Sequence, residues 1–426
     1  MGMWLLVIFL ALLFGGMPIP FAIAFSSFVA LVATDMPLIL IPQRIIAGID
    51  SFALLAVPFF LLAGEIMKTG GLSKRLVRFA NALIGHITAG LPMVLVLSAT
   101  FFAAISGSAP ATTASIGSIM IPEMEKKRYP KPFAAALASA AGPIGQMIPP
   151  SIPMVVWAVI ANVSIVRMFL GGIVPGLLMA GALMLVSRFL SVKNDYGTKE
   201  KKASRGEVWA TLKDGFWALM TPVIILGGIY CGIFTPTEAA AVAVAYGLIV
   251  GFFIYKELTL ADLPGIFIGS VKSTAIVIFV VAVASLFGWI MANEMIAPKI
   301  VQSILGITTN KYLLLLMLNV ILLLIGCFMD NIAAMIILSG VLTSIAAQAG
   351  VDPVHFGIIV VINFAIGMVT PPLGYSLFVG ASISDQSIET VSRSVWPFVL
   401  CEIAVLGILT YIPWVVLALP RLVYGS

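Results

Sequence analysis

Apolar residues run along this chain in long blocks rather than in alternation. The blocks Trp4–Phe14, Ile19–Ala33, 174–186, 276–291, 312–325 and 399–418 are nearly free of charge, as a helix crossing ~30 Å of hydrocarbon with about 20 residues requires. A spanning β-barrel would instead alternate apolar and polar residues at every second position. The expected fold class is therefore an all-α polytopic membrane protein. The opening block lacks a basic leader and a small-residue cleavage site, so it is expected to be the first membrane segment and not a signal peptide.

Composition agrees with that solvent. The 426 residues are 61% hydrophobic and 10% charged, against about 25% charged in soluble chains. Positive charge falls in clusters: Lys68, Lys74, Arg75 and Arg78, then Lys126, Lys127, Arg128 and Lys131, then Arg188 to Arg205. Loops of this kind are expected on the cytoplasmic side. The most hydrophilic stretch, 191–206, mixes Lys193, Lys199, Lys201, Lys202 and Arg205 with Asp195 and Glu200 and divides the chain into two halves.

The halves resemble each other at an offset of about 220 residues, the mark of an internal repeat in transporters. The Pro18/Pro20 turn matches the turn at Pro236. A break at Ser106-Gly107-Ser108 matches one at Gly326, Asp330 and Asn331, and Pro149-Pro150 matches Pro371-Pro372. Threading the chain with its basic loops inside makes the repeats inverted. Residues 91–121 must then enter and leave on one side as a re-entrant hairpin, and a second hairpin around 326–331 opens to the other side. Residues 72–85 and 297–307, ahead of the hairpins, suit amphipathic helices along the interface. The expected division is residues 1–90 (scaffold and arm), 91–165 (first hairpin and broken helix), 166–215 (linking helix and loop), 216–310 (second scaffold and arm), 311–388 (second hairpin and broken helix) and 389–426 (final helix).

Helix breaks inside apolar segments free backbone groups at a cost of several kcal/mol each, which lipid cannot relieve. Discontinuous helices use such groups to hold ions, carbonyls facing cations and half-helix N-termini facing anions. The first pair of breaks offers Ser106, Ser108, Gly145, Ile148 and Pro149 as a hard oxygen cage suited to sodium. The second offers Gly326, Asp330, Gly367 and Thr370. An anionic substrate would lie between them, near Pro110, Thr112, Ser151, Asn331 and Pro371. Asp330 carries most weight as an ionisable side chain at membrane depth, its alternative role being a helix cap at the hairpin tip. A single break is better explained as a packing kink; four breaks in two matched pairs point to ion sites.

Other polar residues carry less. Cys231, Cys327 and Cys401 are isolated in apolar sequence, so neither disulfides nor a transition-metal site is expected, and His86 and His355 stand alone. Glu65, Arg167, Glu238, Lys272 and Glu294 fall near segment ends, where snorkelling and anchoring suffice. No phosphate-binding loop, hydride-cofactor fingerprint or catalytic triad is visible. The expected protein is not an enzyme, takes no cofactor beyond Na+ as coupling ion, and does not bind nucleic acid. A channel or an intramembrane enzyme is the outlying reading, the latter needing paired carboxylates where only Asp330 was found.

The segments 51–68 (SFALLAVPFFLLAGEIMK), 105–122 (ISGSAPATTASIGSIMIP), 140–152 (AAGPIGQMIPPSI), 169–176 (FLGGIVPG), 232–240 (GIFTPTEAA) and 367–374 (GMVTPPLG) resemble the large membrane subunit of tripartite ATP-independent periplasmic transporters. The resemblance spans nearly the whole chain. It implies a multi-pass protein of the bacterial inner membrane, with a fixed scaffold, an elevator-type transport domain carrying both hairpins, and sodium symport of an organic acid such as a carboxylate. It implies two protein partners besides membrane lipid: a small four-helix membrane subunit and a periplasmic substrate-binding protein. The sodium-binding positions it implies are Ser106, Ser108, Gly145, Ile148 and Pro149, then Gly326, Gly367 and Thr370. The alternative is a stand-alone sodium/anion symporter of the divalent-anion type, without a binding protein.

Overall fold

The structure, a computed structural model, describes residues 3–198, 201–308 and 310–425; Lys199 and Glu200 lie outside it, as do the side chains of Met3, Ala297, Ile304, Leu305 and Ile307. The described residues form helices joined by short turns, with no strand among them. Seven of these helices are long and apolar enough to cross a membrane, or eight if the bent pair Lys131–Met147 and Ile152–Ile160 is one span. The longest, Leu263–Asn293, has 31 residues and a length of about 45 Å at 1.5 Å per residue.

One block read as continuous in the sequence is divided. Residues 399–418 belong to helices Ile388–Tyr411 and Pro413–Tyr424. Pro413 has no N–H to donate and disfavours helical geometry before it, and Ile412 leaves the helix at φ −120°, ψ 78°. At the amino end, Met3–Phe14 and Ile19–Ala33 have 12 and 15 residues, about 18 and 22 Å, each short of a full span. Gly16 at φ +85° turns the chain between them.

Helix starts follow local chemistry. The hydroxyls of Ser164, Ser204, Thr235 and Ser387 accept backbone N–H groups at the first turn of the helices they precede. Asn310, Asp330 and Asp352 do the same with side-chain oxygens, satisfying donors that would otherwise be orphaned. Thr235 and Glu238 form a reciprocal capping box, which gives Glu238 a structural role. Glu65 pairs with Lys68 at 3.6 Å, and the Arg167 guanidinium lies 5.5 Å from the Tyr424 ring.

Where the two re-entrant hairpins were expected, the chain forms two helix pairs of different character. Gly90–Ser106 and Ala109–Lys126 pack along each other, turning at Gly107. Lys311–Gly326 and Asn331–Gln348 scarcely touch: the first packs on Pro353–Gly367, the second on Leu263–Asn293. The stretches expected to lie along the interface form helices Leu72–Ile84 and Ile296–Ile307. The first is tied down by Arg75, which donates to Glu257 at 2.6 Å and Asp214 at 3.1 Å and stacks on Tyr255. Residues 133–158 and 354–370 are buried without exception, so the broken helices are the innermost part of the fold. Large apolar side chains such as Phe14, Leu185, Phe253 and Trp414 face outward, as a hydrocarbon surround allows.

Candidate functional site

The two breaks in the first half come together as a unit. The helix Lys131–Ala141 stops at Gly142, a single turn spans Ile144–Met147, and Ile152–Ile160 begins after an extended stretch that includes a cis Pro149-Pro150 bond. This stretch lies against the hairpin tip: Ile152 N donates to Gly107 O at 3.3 Å. Gly107 sits at φ +60° and a side chain there would meet Pro150 O at 2.7 Å. Gly145 is as tight, since a methyl would stand 2.7 Å from Ser108 O and collide with Thr112 Oγ1. Both positions need glycine for the chains to approach.

Oxygen is abundant there. Ser106 Oγ and Thr112 Oγ1 share a hydrogen bond of 2.8 Å, and Ser108 is half-buried beside them. Among the described residues the carbonyls of Ile148, Pro149 and Pro150 accept no hydrogen bond. Ser151 is committed differently: its hydroxyl donates to Gln146 O at 2.6 Å and caps the next helix through Met154 N. Pro110 is in the first turn of the second hairpin arm, partly exposed, whereas Thr112 is fully buried.

The second pair repeats the design with other residues. Gly326 and Gly367 pack backbone to backbone, and a methyl on Gly367 would stand 2.6 Å from Gly326 Cα. Beyond Gly367 the chain unwinds through a cis Pro371-Pro372 bond until Tyr375–Ser384 begins. Thr370 donates its hydroxyl to Ile366 O at 2.8 Å, which leaves the oxygen lone pairs to face elsewhere. The carbonyls of Gly326, Thr370, Pro371 and Pro372 accept no hydrogen bond among the described residues. Asp330 caps the following helix, its Oδ1 accepting from Ile332 N at 3.0 Å and Ala333 N at 3.2 Å. Its carboxylate also opens, exposed, into a cleft of about 240 Å³ shared with Phe328, Met368, Gly374 and Tyr375.

One residue that the sequence did not single out joins the two pairs. Gln146 is buried in the first break; its Oε1 accepts from Asn331 Nδ2 at 2.8 Å and its Nε2 lies 3.3 Å from Met368 Sδ in the second. Asn331, expected near substrate, is thereby a buried strut between the halves. Its partner was invisible because the two are 185 residues apart. Glu402 was missed as well. It lies at 0% exposure in Ile388–Tyr411, so Asp330 is not the one ionisable side chain at membrane depth, and the block 399–418 is not free of charge. Apolar residues flank Glu402 on its own helix, and only burial in the fold distinguishes it.

The donor set consists of carbonyl and hydroxyl oxygens and the Asp330 carboxylate, with no thiolate or imidazole, a chemistry for hard monovalent or divalent cations and not for soft metals. No group of three or more His, Cys, Asp or Glu that could hold a metal ion occurs among the described residues.

The same architecture recurs in solved transporters. The YdaH transporter of Alcanivorax borkumensis superposes with a TM-score of 0.62 at 16% identity, covering 87% of this chain and 86% of that one. MtrF of Neisseria gonorrhoeae gives 0.57 at 16%, covering 90% and 86%. Likeness at this identity concerns the fold alone. Sequence relatives are much nearer. The chain is 40% identical over 417 residues to the sialic acid TRAP transporter large permease SiaM of Vibrio cholerae, spanning 98% of this chain and 97% of that protein. It is 36% identical to the C4-dicarboxylate large permease DctM of Rhodobacter capsulatus, 97% of each being covered. It is 45% identical over 399 residues to the isethionate permease DctMQ of Oleidesulfovibrio alaskensis, covering 93% of this chain but 63% of that longer protein. Residues 6–415 match the DctM component of the tripartite ATP-independent periplasmic transporters. With the family's pattern running from the first helix to the last, the chain belongs to this family as a large permease, a multi-pass protein of the inner membrane.

Proposed function

We propose that this chain takes up a small organic anion by sodium symport, with sodium held at the two pairs of helix breaks. The supporting observation is that, among the described residues, each pair of breaks presents unpaired carbonyls beside a hairpin tip, where glycines too crowded for any side chain bring the backbones together. Such carbonyls inside a membrane need a cation or water to replace the missing hydrogen bonds. Ser106, Ser108, Gly145, Ile148 and Pro149 make the first sodium site; Gly326, Gly367, Thr370 and, from the cleft, Asp330 make the second. Pro110, Thr112, Ser151, Asn331 and Pro371 surround the substrate region between them, Thr112, Ser151 and Asn331 acting by shaping it.

The two halves act as inverted repeats in this reading. Residues 91–165 and 311–388 form a moving transport domain, and 1–90 and 216–310 form the scaffold, with 166–215 linking the halves and 389–426 closing the chain. The burial of the broken helices inside an apolar shell suits a rigid block that slides as an elevator. Relatives are named for isethionate, sialic acid, C4-dicarboxylates and 2,3-diketo-L-gulonate. Isethionate is a sulfonate, so the common chemistry is a small organic anion rather than a carboxylate alone. A periplasmic binding protein would deliver it, and a small membrane subunit would complete the permease.

Uptake into proteoliposomes holding this chain and both partners tests the proposal. An inward sodium gradient drives accumulation, and Ser106→Ala or Thr370→Ala raises the sodium needed for half-maximal uptake by about fivefold, the loss of roughly 1 kcal/mol of oxygen coordination. Equal uptake in sodium-free buffer under a proton gradient refutes the coupling.

A further inference from the structure

Glu402 has no role in the scheme above, and its surroundings are unusual for a carboxyl. It is completely buried, and neither carboxylate oxygen has a hydrogen-bond partner among the described residues. Its depth can be read along its own helix. One turn before it, Phe398 packs on Phe133 with ring centroids 5.6 Å apart. Seven residues after it, about 10 Å further along the axis, the Leu409 carbonyl is 2.8 Å from His355 Nε2. Glu402 thus sits inside a membrane-spanning helix, away from both ends.

Among the described residues no counter-charge reaches it. Its helix packs on Lys131–Ala141, Ile165–Lys193, Pro353–Gly367, Tyr375–Ser384 and Pro413–Tyr424. The charged groups of these helices lie toward their ends: Lys131, paired with Glu125 at 3.5 Å, then Arg167, Arg188, Lys193 and Arg421. His355 is turned to Leu409, and Tyr375 and Tyr424 are surface residues. On the same helix Glu389 and Arg393 are near the start, Tyr411 is at the end, and Cys401 is adjacent. A bare carboxylate in this position costs several kcal/mol even after relaxation, and nothing here offsets it. Binding a proton removes that charge. An ionisable side chain left unpaired at such a depth is a candidate for function.

We propose that Glu402 is a proton-binding site within the membrane, separate from the two sodium sites, and that its proton must be in place for the helices around it to pack and transport. Glu402→Gln keeps the shape of the neutral acid and cannot lose a proton. Infrared spectra of the purified protein at neutral pH will show the carbonyl stretch of a protonated carboxyl that is missing in Glu402→Gln. Uptake by the wild type in proteoliposomes will fall when the medium is made alkaline, whereas the ratio of uptake at neutral and alkaline pH will stay flat in Glu402→Gln. Monodispersity in detergent at both pH values separates loss of transport from loss of fold. A wild-type spectrum without that carboxyl band, or the same alkaline fall in both proteins, overturns the proposal. The infrared result does not depend on which ion drives uptake, so it stands or falls apart from sodium coupling.

Discussion

At the residue scale, side chains in the interior act mainly by letting backbone act. Gly107, Gly145, Gly326 and Gly367 are useful for what they lack, because a single methyl at Gly145 or Gly367 would occupy the space between break and tip. Gln146 is the exception, a polar side chain that spans two breaks through Asn331 and Met368. Gln146→Leu keeps the volume but leaves the Asn331 amide buried without its partner, at a cost of about 1–3 kcal/mol. The expected result is a thermal midpoint lowered by several degrees in detergent and uptake reduced more than that loss of folded protein accounts for. Unchanged uptake would show that the strut does not align the two pairs. The sequence displayed the breaks through Gly, Pro, Ser and Thr in apolar surroundings. It did not display Gln146 or Glu402, since the first is defined by partners 185 and 222 residues away and the second by burial in a helix that looks apolar.

At the scale of elements, capping chemistry and proline placed most helix boundaries. Thr235-Pro236 and Asp352-Pro353 each join a capping side chain to a proline at the first helical position. The split at Ile412 was not read, because a proline within a hydrophobic block can also be a tolerated kink. The splayed second hairpin was likewise hidden, since its arms obtain their packing from Leu263–Asn293 and Pro353–Gly367 and not from each other. The arm Leu72–Ile84 shows how one cation can fix an element. Arg75, 13% exposed, bridges two carboxylates that are 34% and 42% exposed. Allowing for solvent screening at those carboxylates, Arg75→Ala should destabilise by about 1–2 kcal/mol. Cysteine accessibility along the arm should rise in that variant. An arm equally protected without Arg75 would mean that its apolar face alone anchors it.

At the scale of the whole molecule, the same order of elements serves twice: a hairpin pair, a helix broken at a proline pair, then a long helix. The all-α membrane class and the positions of the four breaks were legible because each break interrupts a strong apolar pattern. Their assembly into two facing pairs linked at the centre is a property of the fold, and the roles proposed for them require ligand measurements. The most direct is equilibrium binding of sodium to the purified chain, comparing wild type with Gly145→Ala and Gly367→Ala, each confirmed to be folded. Saturable binding in the wild type, with one component lost in each variant because the added methyl fills its site, is the predicted result. Sodium binding that is the same in all three proteins, or missing from the folded wild type, would contradict the assignment of the broken helices as cation sites.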